Sequence, residues 1–161
     1  MLLTTSVASF TRPNNTTAYA SGQLIANDTA AGSVTPMSFP IAKSATGQTL
    51  MLRARISKTG TGTSGATFRI HFYEASPTAA NGDGAAWSTN KAASYLGNID
   101  VAVSYAMTDG AAGFGSAAAG AEMRLRLSVG STIYGLLEAR GAYTPTAQEV
   151  ITVTLECLDG Y

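Results

Sequence analysis

Apolar and polar residues alternate in several runs along the chain, and each run predicts a strand half-buried in a sheet. Near the C-terminus Ile151, Val153, Leu155 and Cys157 alternate with Thr152, Thr154 and Glu156. Before them Ile133, Leu137 and Ala139 share one phase, and Tyr134, Glu138 and Arg140 the other. Gly141-Ala-Tyr-Thr-Pro145 separates the two runs; Pro145 cannot donate to a ladder, and Gly141 accepts backbone angles that other residues avoid. The cleanest alternation is Thr49 to Lys58, with Leu50, Leu52, Ala54 and Ile56 against Met51, Arg53, Arg55 and Ser57. After the glycine-rich stretch 59–65, Ala66, Phe68, Ile70 and Phe72 alternate with Thr67, Arg69, His71 and Tyr73. Two alternating runs around a glycine-rich turn predict a hairpin. Tyr95 to Tyr105 carries Ile99, Val101 and Val103 in phase, and Glu122 to Val129 sets Met123, Leu125, Leu127 and Val129 against Arg124, Arg126 and Ser128.

The rest is less regular. Thr4 to Phe10 reads as a first strand or an extended arm, because Val7 and Phe10 fall on different phases; Arg12-Pro-Asn-Asn ends it. Tyr19 to Ile25 is a short strand with a bend at Gly22. Val34 to Ile41 contains Pro36 and Pro40 and belongs on an edge. Ser76 to Asn90 is a long polar excursion that Trp87 anchors to the body of the domain. Asp109 to Gly120 is nearly all Gly and Ala around Phe114, too glycine-rich for a stable helix, and reads as a flexible loop. Many short strands, no amphipathic helix and turn signals between runs predict an all-β antiparallel sandwich with Greek-key or jelly-roll connections. The expectation is one domain over residues 1–161, with residues 1–13 as an extended N-terminal arm; deleting Met1 to Arg12 is expected to leave a folded domain.

Composition narrows the function classes. The chain has 161 residues, of which 12% are charged, and its formal net charge is zero. Nonspecific nucleic-acid binding needs a basic excess that is not there. A weakly charged, neutral surface favours association, as in a subunit of an assembly. Cys157 is the one cysteine and falls on an apolar phase, which predicts a buried structural thiol. No apolar stretch reaches the ~18–20 residues that cross a bilayer, and the first residues do not read as a secretory signal. These features predict a soluble protein made in a cytoplasm.

The candidate chemistry is sparse, and no catalytic constellation emerges. Gly60-Thr-Gly62-Thr-Ser-Gly65 has phosphate-loop spacing, but a strand follows where a helix N-terminus is needed, so it reads as a turn. His71 is the one histidine; on a polar phase beside Arg69 and Tyr73 it reads as a surface residue. Asn81-Gly-Asp83-Gly could offer loop oxygens to calcium, yet supplies too few ligands and reads as a turn. Asn14, Asn15 and Asn27 begin glycosylation sequons that stay idle without secretion. Arg53, Arg55, Arg69, Arg124 and Arg126 fall on outward phases. They form either a basic docking face or cross-strand pairs with Glu138 and Glu156.

Several segments together resemble a family of small tailed-bacteriophage virion proteins. They are Phe10-Thr-Arg-Pro13, Thr16-Thr-Ala-Tyr19-Ala, Gly82-Asp-Gly-Ala-Ala-Trp87, Tyr95-Leu-Gly97, Ile133-Tyr-Gly-Leu-Leu, Gly141-Ala-Tyr-Thr-Pro145 and the closing strand. The resemblance implies a jelly-roll capsid cement, or decoration, protein that sits on the outer shell as a dimer or trimer. It implies the major capsid protein and further copies of itself as partners, and no cofactor, no metal, no direct nucleic-acid contact and no catalysis. Candidate contact residues are Phe10, Arg12, Pro13, Tyr19, Trp87 and Phe114. The alternative is a carbohydrate-binding sandwich from a tail fibre or a secreted enzyme, for which Tyr73 and Trp87 are the candidate aromatic platforms.

Overall fold

In the computed structural model, which describes residues 2–41, 48–126 and 132–160, the alternating runs become strands of one antiparallel sheet. In chain order these are β1 (Leu2–Thr11), β2 (Leu24–Ile25), β3 (Met37–Pro40), β4 (Thr49–Lys58) and β5 (Thr67–Tyr73). There follow β6 (Tyr95–Ala106), β7 (Ala111–Gly115), β8 (Arg124–Leu125), β9 (Thr132–Ala139) and β10 (Val150–Asp159). The described residues contain no α-helix, only short 3-10 turns at Ala31–Ser33 and Ala92–Ser94. The strand order is β1-β10-β4-β7-β6-β5-β9-β2, with β3 also on β9 and β8 also on β4. The sheet curls into a half-barrel of jelly-roll-like character, as the patterning predicts.

The concave side holds the core. Phe39, Ile56, Phe68, Ile70, Phe72, Val101, Ile133, Leu137, Ile151, Val153 and Leu155 are all fully buried there. Burying each such side chain contributes about 1.5–3 kcal/mol relative to exposure. Cys157 joins them, and burial pushes its thiol up to about 11, as expected of a structural cysteine.

Several local expectations are corrected. β4 and β5 form no hairpin: β4 pairs with β10 and β7, and β5 with β6 and β9, so the glycine-rich turn carries the chain across the domain. Gly65 makes that crossing possible. It takes φ +67°, and a Cβ there would lie 1.8 Å from the Ala142 carbonyl oxygen. In β4 the phase flips at a bulge: Arg53 faces Glu156 and Met51 faces Cys157, leaving Leu52 without a partner. Met51 is therefore buried and Leu52 is exposed, the reverse of strict alternation. The stretch expected as a flexible loop contains β7, wedged between β4 and β6. Its glycines allow close approach, since a Cβ at Gly113 would meet the Ala102 carbonyl oxygen at 2.0 Å. Of the run from Glu122 to Val129 only β8 forms a strand; Leu127, Ser128 and Val129 lie outside the described residues.

Nor are residues 1–13 an arm. β1 pairs along its whole length with β10, from Leu2 opposite Asp159 to Thr11 opposite Val150. The mixed phasing of Val7 and Phe10 has a simple origin: Phe10 leans on the core, whereas Val7 points outward and is 56% exposed.

Candidate functional site

The convex side of the sheet has two parts. Over β5 and β9 it is covered. The segments 13–35 and 74–94 fold across it, and Leu24, Ala26, Ala79 and Leu136 form a second small core with Val34 and Trp87 packed on it. This is why Leu136 and Glu138, on the polar phase of β9, are nonetheless buried.

The cover is latched by buried charge. The Arg12 guanidinium lies at the end of β1, fully buried, 3.1 Å from Asp83 Oδ2. Asp83 Oδ1 accepts from the Tyr19 hydroxyl at 2.5 Å and from the Ala26 N–H at 2.8 Å, and Arg12 Nε also donates to the Tyr19 hydroxyl. Tyr19 stacks parallel to Tyr143, whose hydroxyl donates to both Glu149 oxygens at 2.5 and 2.6 Å. Lys58 Nζ sits 3.3 Å from Glu149 and donates to the Gly60 carbonyl at 2.7 Å. Burial is the main cause that holds both phenols far above their ordinary pKa, so they remain protonated donors. Burial also lowers the Lys58 ammonium, against the pull of Glu149. With its oxygens taken by Arg12, Tyr19 and Ala26, Asp83 serves as a structural anchor; among the described residues no cluster is arranged to hold a metal ion. Gly60 likewise belongs to this latch, since a Cβ there would strike Glu149 at 1.9 Å.

Beside the latch lies an aromatic cleft of about 310 Å³, lined by His71, Tyr73, Trp87, Thr89, Asn90, Ala92 and Tyr95. His71 is buried here, contrary to its surface reading, because the excursion places Trp87 flat against its ring at 4.0 Å. Its Nε2 is 2.8 Å from Glu138 and its Nδ1 3.0 Å from the Tyr95 hydroxyl. Burial lowers the imidazole's pKa, and Glu138 opposes that in part. Glu138 also accepts from Arg140 at 3.0 Å.

The other part, over β1, β10, β4 and β7, is open. The paired register places Val7, Thr154, Arg55, Phe114 and Ala102 in one row across it, and Ser9, Thr152, Ser57, Ala112 and Tyr105 in the next. Two arginines of the expected basic face are ion-paired, and a third is bonded to a hydroxyl. Arg53 grips Glu156 with bonds of 2.7 and 3.0 Å, Arg69 grips Asp100 at 2.6 and 2.8 Å, and Arg55 donates to the Thr154 hydroxyl at 3.2 Å. Arg53 holds the Glu156 carboxyl below its ordinary range. The same guanidinium lies 4.9 Å above the Phe114 ring. What stands out of this face is apolar: Phe114 is 46% exposed, Met107 55% and Tyr105 60%, all on the β6–β7 hairpin.

The six residues marked from the sequence thus separate. Arg12 and Tyr19 are brought together, but buried in the latch, and cannot touch a partner. Phe10, Pro13 and Trp87 are half-buried, and Phe114 stands open. The sequence reading missed Val7, Tyr105 and Met107; the signal was an apolar residue on an outward phase or at a turn. Sequence comparison matches the chain to no protein family and to no curated protein.

Proposed function

We propose that this chain is a virion structural protein of a tailed bacteriophage, a cement protein that decorates the outer capsid surface and stabilises the head. The observation that carries the reading is the open convex face, rich in Ser and Thr, with Tyr105, Met107 and Phe114 exposed on its β6–β7 hairpin. Monomeric proteins seldom expose large apolar groups in one area without a partner. A repeated capsid lattice multiplies a modest contact over many copies, so rigidity and adhesion suffice. The segments that carry the phage-protein resemblance also converge in space. Arg12, Tyr19, Asp83 and Tyr143 come from four of them and meet in the latch. The proposed partner is the major capsid protein, and the site of synthesis the bacterial cytoplasm. Purified heads lacking the protein, mixed with the full chain, test this: saturable binding in fixed stoichiometry is expected, and no binding at any ratio contradicts it.

A second reading, a carbohydrate-binding module, is favoured by the aromatic cleft, where Tyr73, Trp87 and Tyr95 converge beside His71. Much of the Trp87 ring is already spent on His71 and the second core. Selective retention on a glycan array, abolished by Tyr95→Ala, would favour this reading over adhesion to a capsid.

A further inference from the structure

β1 ends the sheet, and among the described residues no strand is hydrogen-bonded to its outer edge. Its ladder with β10 fixes which backbone groups are left over. The Arg12 N–H donates to the Glu149 carbonyl at 3.0 Å, one step beyond the pair Thr11–Val150, so the even-numbered residues bond to β10. Bonded and non-bonded pairs alternate along an antiparallel ladder. The N–H and C=O groups of Leu3, Thr5, Val7, Ser9 and Thr11 therefore point away from the sheet. Edge strands ordinarily carry a charge, a proline or a bulge that blocks further pairing. β1 reads LLTTSVASFT, without charge or proline, and meets β10 without a register shift. Among the described residues β3 lies near this edge, and Ala8 to Thr11 share a cleft with Thr35 to Ser38 before and within it. Leu2, Leu3 and Val7, on the free part, are 53%, 60% and 56% exposed.

We propose that the strip Leu2–Val7 pairs antiparallel with the same strip of a second copy, with Thr5 on the twofold axis. Among antiparallel registers that join the free odd-numbered groups, this one alone sets Leu3 against the second copy's Val7 and Val7 against its Leu3. Thr5 then faces Thr5, and on the inner side Ser6 faces the second copy's Thr4. Among the described residues Ser6 Oγ is a buried side-chain polar atom left without a hydrogen-bond partner, and a threonine hydroxyl across the strand supplies one. The strand carries no charge, so no like-charge repulsion opposes the pairing. The dimer joins two sheets into one and leaves the face around Phe114 free. It does not rest on capsid binding.

Light scattering of the full chain is expected to give twice the 16.5 kDa of one copy. Val7→Lys is expected to give a folded monomer. Oxidation of Thr5→Cys is expected to give a covalent dimer and that of Thr11→Cys none, since paired Cα atoms of a bonded pair lie about 5.5 Å apart, within disulfide reach. A single 16.5 kDa species throughout the soluble range, a dimer untouched by Val7→Lys, or equal cross-linking at positions 5 and 11 would each overturn the pairing.

Discussion

The two halves of the convex surface are built from the same alternating strands, yet they handle charge in opposite ways. Over β5 and β9 the outward residues are roofed by loops: His71 and Glu138 are paired beneath the roof, and Asp83 of the roof holds the buried guanidinium of Arg12. Over β10, β4 and β7 no loop of the described residues roofs the outward side; Thr154 is buried among its neighbours, but the Arg53–Glu156 pair lies at the surface and apolar groups project. A surface pair such as Arg53–Glu156 is screened by water and contributes little to stability. A buried pair is different: losing one partner leaves an uncompensated charge. The covered half is thus where substitution damages the fold, and the open half is where substitution damages recognition.

The sharpest break of that contrast is removal of residues 2–12. It strips a ten-residue strand from β10 and takes Arg12 out of the latch. The truncated chain is expected to lose its cooperative thermal transition and its near-ultraviolet circular dichroism. A folded, soluble product would restore the view of this segment as an arm. Next in size is Asp83→Asn, which strands the buried guanidinium of Arg12; the expected loss is about 3–5 kcal/mol in chemical denaturation, by the usual cost of breaking a buried pair.

His71 gives a smaller, pH-dependent effect. Burial depresses its folded pKa, so the unfolded chain binds the proton more readily. The sign follows: the stabilising contribution is complete above the ordinary value of about 6.5 and is lost as pH falls through it toward the folded value. The melting temperature of the wild type is expected to drop over that window relative to His71→Gln. Equal slopes for the two proteins would mean that the imidazole titrates normally. The smallest stability effect is expected at Phe114→Glu, within about 0.5 kcal/mol as for an ordinary surface change, with loss of head binding as the contrasting readout.

Most of the fold was legible in the sequence, because half-buried strands announce themselves by their period of two. The inward residues of β5, β9 and β10 follow it faithfully. The failures have physical causes. Strict alternation misassigned Met51 and Leu52 because a bulge resets the phase, and a bulge leaves no composition signal. The run around Phe114 looked like loop because the glycines that let β7 approach β6 also lower strand propensity. His71 was read as exposed because period-two patterning cannot show that distant loops roof a polar phase, and Arg12 and Tyr19 stood as contact candidates because nothing in the sequence shows that they meet Asp83. The open half is the harder part to read, since an exposed Met107 or Val7 looks in sequence like any other apolar residue.

Oxidative footprinting of the full chain, free and bound to heads, tests the central contrast most directly. The account predicts that Tyr105, Met107 and Phe114 become protected on binding while Trp87 and Tyr95 label as before. Protection at Trp87 and Tyr95 with unchanged labelling of the β6–β7 hairpin would contradict it.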